Sequence, residues 1–131
     1  RRGFTDKELP QLLFVLERFH ITHAAYYPYL SWSDVAYTDQ LLAELNTKLV
    51  LLTIERSEFR ERLKERQNTG FIYYIRRYGQ DLDTILDHYM RSQDCYLELA
   101  SLSQLDTIVL DSVSLPPETV LKNTLDFWLK P

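Results

Sequence analysis

The sequence carries one cysteine, three glycines and no long apolar run. With Cys95 alone there is no intrachain disulfide and no CxxC metal pair, so disulfide-scaffold classes are excluded and a reducing, cytoplasmic setting is expected. Gly3, Gly70 and Gly79 stand apart, which leaves no glycine-rich turn and no Gly/Ser linker. Nothing approaches the ~20 consecutive apolar residues of a membrane-spanning helix, and the amino terminus lacks a basic-then-apolar signal pattern. Acidic residues outnumber basic ones, 19 to 15, for a formal net charge of −4. That balance argues against wholesale binding of a nucleic-acid polymer or an anionic membrane. The chain begins at Arg1 rather than methionine and reads as part of a longer domain.

What is present suits one globular domain: 131 residues, 45% hydrophobic and 26% charged. Short continuous apolar runs alternate with longer helical patterns. LLFVL at 12–16 stops abruptly at Glu17-Arg18, as expected of a buried strand ending at a polar cleft. Residues 37–48 repeat Leu41, Leu42 and Leu45 at helical spacing, with Thr38, Asp39, Gln40 and Glu44 on the opposite, polar face. LVLLTI at 49–54 reads as a strand covered on both faces, residues 57–67 as an exposed helix stopped by Asn68-Thr69-Gly70, and residues 82–99 as the main helix. A third strand over 105–111 precedes Ser114-Leu115-Pro116-Pro117, a helix start, and a final helix carrying Val120, Leu121, Leu125 and Trp128. The order predicts an α/β fold, a parallel sheet with flanking helices.

In such sheets ligands sit beyond the carboxyl ends of the strands, which points to Glu17, Arg18 and Asp111. Glu17 beside Arg18 suits an acceptor-binding carboxylate and guanidinium, or equally a structural ion pair. His20 and His23 lack a matching third ligand, so no metal site is expected there. Tyr26, Tyr27, Tyr29 and Trp32 suit either a stacked base or ordinary packing. Arg56, Arg60, Arg62, Lys64 and Arg66, interleaved with glutamates, fit a solvated, salt-bridged helix or a lid that covers phosphates. Glu58 and Arg62 are spaced for an intrahelical pair.

Taken in order, LLFVLERF, LVLLTIERSEFRERLKER and LDTIVLDSVSLPPETVLKNTLDFW resemble the later part of the thymidylate kinase and deoxynucleoside kinase group. The resemblance implies a P-loop NTPase-like α/β fold, with Glu17 and Arg18 by the acceptor and Arg62 and Arg66 near the transferring phosphates. It places Asp111 and Ser112 near the donor base. It also implies ATP and Mg²⁺ for the complete enzyme and a nucleoside, nucleotide or similar small molecule as acceptor. The chain departs from the group in having no GxxxxGK[ST] loop, and its 70–80 segment lacks the usual lid continuation. On this reading the first two strands are absent, including a central one. The gap would be closed by direct re-pairing, a partner chain such as a homodimer, or a further amino-terminal segment. The resulting expectation is an ATP-dependent kinase in the parent protein, with this chain alone inactive. The rivals are a non-catalytic kinase-like nucleotide-binding or protein-interaction module, and a helical regulatory domain without parallel strands.

Overall fold

The computed structural model describes residues 15–66 and 70–129. Its elements are α1 (His20–Tyr26), α2 (Trp32–Glu44), β1 (Lys48–Thr53), α3 (Arg56–Glu65) and α4 (Gly70–Ile75), which runs into a 3₁₀ turn (Arg76–Tyr78). There follow α5 (Leu82–Leu102), β2 (Asp106–Asp111) and α6 (Pro117–Trp128). The strands pair in parallel, Lys48 against Asp106 through Thr53 against Asp111. The chain is therefore mixed α/β, and the all-helical alternative is wrong. Of the first apolar run, residues 12–14 lie outside the described residues, and Val15 and Leu16 are exposed and not in a strand.

Local chemistry sets the helix limits. Helix α2 begins earlier than its leucine spacing indicates because Ser31 and Asp34 form a capping box. The Ser31 N–H and hydroxyl donate to the Asp34 carboxylate at 2.7 and 2.6 Å, and the Ser31 side chain in turn faces the Asp34 N–H. It ends before residue 48 in a Schellman turn. Asn46, at φ 54°, donates to the Ala43 carbonyl, and Thr47 donates to that of Leu42. Helix α5 starts at Asp81, whose carboxylate accepts from the Thr84 N–H at 2.8 Å and its hydroxyl at 2.7 Å. Those bonds hold the Asp81 carboxyl below the usual aspartate range. Pro117 opens α6, where no intrahelical N–H is needed.

The best-buried cluster joins α3, α4 and α5 through Leu63, Ile75, Ile85 and Leu86, with Phe59, Phe71, Tyr78, Leu82 and Tyr89 packed against it. The 70–80 segment, unassigned from sequence, is helical through Tyr78 and supplies a fully buried Ile75. Outside that cluster Ile21 of α1, Val35 of α2, Ala100 near the end of α5, Leu105 and Leu110 of β2 are also buried. Here Asp39 overturns the polar-face assignment, for it is 0% exposed. It accepts from His20 Nε2 at 2.8 Å, the Ser103 hydroxyl at 2.6 Å and the Gln104 N–H at 2.7 Å. Three hydrogen bonds offset the loss of solvent, so the carboxylate serves as a knot between α1, α2 and the α5–β2 turn. The strands are less covered than a two-faced burial predicts: Leu52 is 59% and Val109 49% exposed. Helix α6 likewise leaves Leu121, Leu125 and Trp128 partly open.

Candidate functional site

Helix α3 sorts its own charges. Arg56 pairs with Asp87 of α5 at 2.5 Å, Arg60 pairs with Asp83, and Lys64 pairs with Glu61 at 2.7 Å. The first two pairs hold one side of the helix against α5, and the third lies within α3. Arg62 and Arg66, four residues apart and so on one face, turn elsewhere. They line a cavity of about 210 Å³ with Thr53, Phe59, Leu63, Phe71 and Ser112. The anticipated Glu58–Arg62 pair is not among the ion pairs of the described residues; Arg62 Nη2 instead donates to the Ser112 carbonyl at 3.1 Å. The Arg66 guanidinium lies 5.4 Å from the centroid of the Phe71 ring, a cation–π distance.

The cavity sits at the carboxyl ends of both strands because the loop after β2 folds back on β1. Ser112 donates twice to the Thr53 carbonyl, from its N–H at 2.9 Å and its hydroxyl at 2.8 Å. Asp111 closes the same turn, accepting from the N–H groups of Val113 at 2.8 Å and Ser114 at 3.3 Å and from the Ser114 hydroxyl. Its carboxyl is held below the usual range, chiefly by the Ser114 hydroxyl and the Val113 N–H, with Arg62 adding attraction. Three of the six residues singled out in the sequence, Arg62, Arg66 and Ser112, thus line one cavity, with Asp111 holding its rim.

Glu17 and Arg18 do not join them. They precede α1, are largely exposed and contact each other at 3.4 Å, with Arg18 at φ 54°. Arg18 instead borders a larger groove of about 800 Å³ between β1, α1 and α5. The two depressions adjoin, sharing Leu52, Thr53, Ile54, Phe59 and Phe71 in their walls.

The larger groove brings together Arg77, Tyr74, Tyr78 and His88, which no motif in the sequence joins. The Arg77 guanidinium stacks over Tyr74 at 3.8 Å and donates to the hydroxyls of Tyr74 and Tyr78. The Tyr78 ring stacks on His88 at 4.1 Å and 11°. Burial, then Arg91 and Arg77, lower the His88 pKa, which favours a neutral imidazole at neutral pH. The tyrosine-rich 70–80 segment was the only signal for this cluster. His20, bound to buried Asp39, and exposed His23 form no metal pair.

Two guanidinium groups border the smaller cavity, donors of the kind that suit phosphate oxygens, while the Asp111 carboxylate accepts from Val113 and Ser114 and the Ser112 hydroxyl donates to the Thr53 carbonyl. Among the described residues no group of three His, Cys, Asp or Glu side chains could hold a metal ion. No helix of the described residues is long and apolar enough to cross a membrane. No family model, curated protein or solved structure matches the chain.

Proposed function

We propose that the concavity at the strand ends binds the phosphate end of a nucleotide, and that the chain belongs to an ATP-dependent kinase acting on a nucleoside, nucleotide or similar small acceptor. The observation that carries this reading is the sorting of α3. Arg56 and Arg60 are bound to α5, while Arg62 and Arg66 converge with the Ser112 loop on a cavity beyond two parallel strands. Parallel sheets place ligands at that end, and two guanidinium groups four residues apart suit the spread oxygens of a phosphoryl group. At about 210 Å³ the cavity takes a phosphate and part of a sugar rather than a whole nucleotide.

In this reading Arg62 and Arg66 stabilise phosphate charge, and Ser112, held by the Thr53 carbonyl, aims its own carbonyl at Arg62. Arg18, with Glu17 beside it, positions the acceptor from the border of the larger groove, and the aromatic wall of that groove receives its base. ATP supplies the phosphoryl group in the parent protein, and the 131 residues alone carry out no transfer because no GxxxxGK[ST] loop is among them. Equilibrium binding of ATP and thymidine nucleotides tests the proposal. Loss of binding in Arg62→Ala supports it, and absence of binding by the unaltered chain would leave the scaffold reading in its place.

A further inference from the structure

Every residue of β1, together with Thr47 and Ile54, lines the larger groove, and no residue of β2 does. Successive side chains of a strand point to opposite faces, so a surface met by all of them in turn is the strand's edge. It is the edge away from β2. The hydrogen-bond parity agrees. The Ser112 N–H donates to the Thr53 carbonyl, which directs the backbone of Leu49, Leu51 and Thr53 toward β2 and that of Val50 and Leu52 toward the groove.

Ile54 is next in the groove-facing series, and its partner shows what this edge requires. Its N–H donates to Gln93 Oε1 at 2.9 Å, and its carbonyl accepts from Gln93 Nε2 at 3.3 Å. One side-chain amide of α5 there takes the place of a neighbouring strand's peptide group. Among the described residues no strand pairs with the rest of the edge. Such an edge is a template for another strand.

We propose that this edge is a strand-addition site for an extended peptide segment bearing acidic side chains, seated between β1 and the aromatic wall of α1 and α5. Charge selects the occupant. The groove is bordered by Arg18 and Arg77 and, among the described residues, by no Asp or Glu, in a chain with 19 acidic residues; Lys48 contributes its backbone there, while its ammonium donates to the Phe127 carbonyl at 3.2 Å. Main-chain bonds to Val50 and Leu52 supply affinity, and alternate acidic side chains reach the cations. The inference stands on the sheet edge and is independent of nucleotide binding.

The test is amide hydrogen exchange of the full chain, read residue by residue, with an acetylated and amidated hexapeptide of alternating valine and glutamate. The Val50 and Leu52 amides slow by roughly tenfold or more at saturation. The backbone N-methylated peptide, which lacks donors, gives no slowing, and a valine–lysine peptide binds more weakly. Val50→Pro removes a donor on the groove side only, where an edge strand tolerates proline, and abolishes binding. If that variant fails to fold, the peptide comparisons on the unaltered chain still decide. Equal effects of the methylated or lysine peptide overturn the proposal, as does the absence of any slowing. Full protection of both amides before peptide is added also overturns it, because the edge would then be filled from within the chain.

Discussion

Arg62 reaches the Ser112 carbonyl across 3.1 Å and so fixes the face of α3 that meets the loop leaving β2. A guanidinium anchored at one nitrogen still presents the rest of its fork to an anion, which an ammonium does not. Arg62→Ala should weaken thymidine monophosphate binding by about 10-fold or more, the cost of one charge-assisted contact. Arg62→Lys should recover only part of the loss. Titration calorimetry of the two variants gives the ratio.

Asp39 is the buried knot of the α1–α2 half, and its removal leaves His20, Ser103 and the Gln104 N–H without their acceptor. Asp39→Ala should cost about 3 kcal/mol or more in urea unfolding, and Asp39→Asn less. Burial pushes this carboxyl up, but the bonds from Ser103, Gln104 and His20 outweigh it and hold the pKa below the ordinary value. The folded pKa is thus the lower one. Its stabilisation is present above the unfolded value of about 3.9 and is lost as pH falls through the folded one. Unfolding measured from pH 6 downward, with Asp39→Asn as the control, should show that loss in the unaltered chain and a smaller one in the variant.

Gly79 has an ordinary extended backbone, φ 172°, so its requirement is space rather than dihedral freedom. A Cβ there would lie 2.7 Å from Thr84 Cγ2 and 2.8 Å from Thr84 Cβ. Gly79→Ala should therefore push Thr84 off the Asp81 cap and destabilise the chain by about 1–3 kcal/mol in thermal or chemical unfolding.

Core and surface leucines should differ sharply. Leu86 is 0% exposed between α3, α4 and α5, and Leu86→Ala should cost about 2–5 kcal/mol. Leu121 on α6 is 60% exposed, and Leu121→Ala should stay within about 0.5 kcal/mol. Parallel denaturant titrations check both.

The strands at 48–53 and 106–111 and helices α3, α5 and α6 were legible because apolar period and length reinforce each other there. The start of α2 was not, since Ser31 and Asp34 set it through hydrogen bonds, ahead of the leucines that carry the periodic signal. Residues 70–80 hid their helix behind aromatic residues and a glycine, and tertiary packing of Ile75 and Tyr78 decided the outcome. Asp39 was misplaced because an aspartate among polar neighbours looks solvated until its partners, 19 and 64 residues away, are known. For the site, spacing put Arg62 and Arg66 on one face. Only the pairing of Arg56 and Arg60 with α5 showed which way that face points. Arg77, Tyr78 and His88 come together by the fold and left no motif.

The most direct measurement compares thymidine monophosphate with thymidine by titration calorimetry, in the unaltered chain and in Arg62→Ala/Arg66→Ala. The phosphate should strengthen binding by about 100-fold in the unaltered chain, and the advantage should fall to a few-fold in the double variant. An equal preference in both proteins, or tighter binding of thymidine than of its monophosphate by the unaltered chain, would contradict a phosphate site at Arg62 and Arg66.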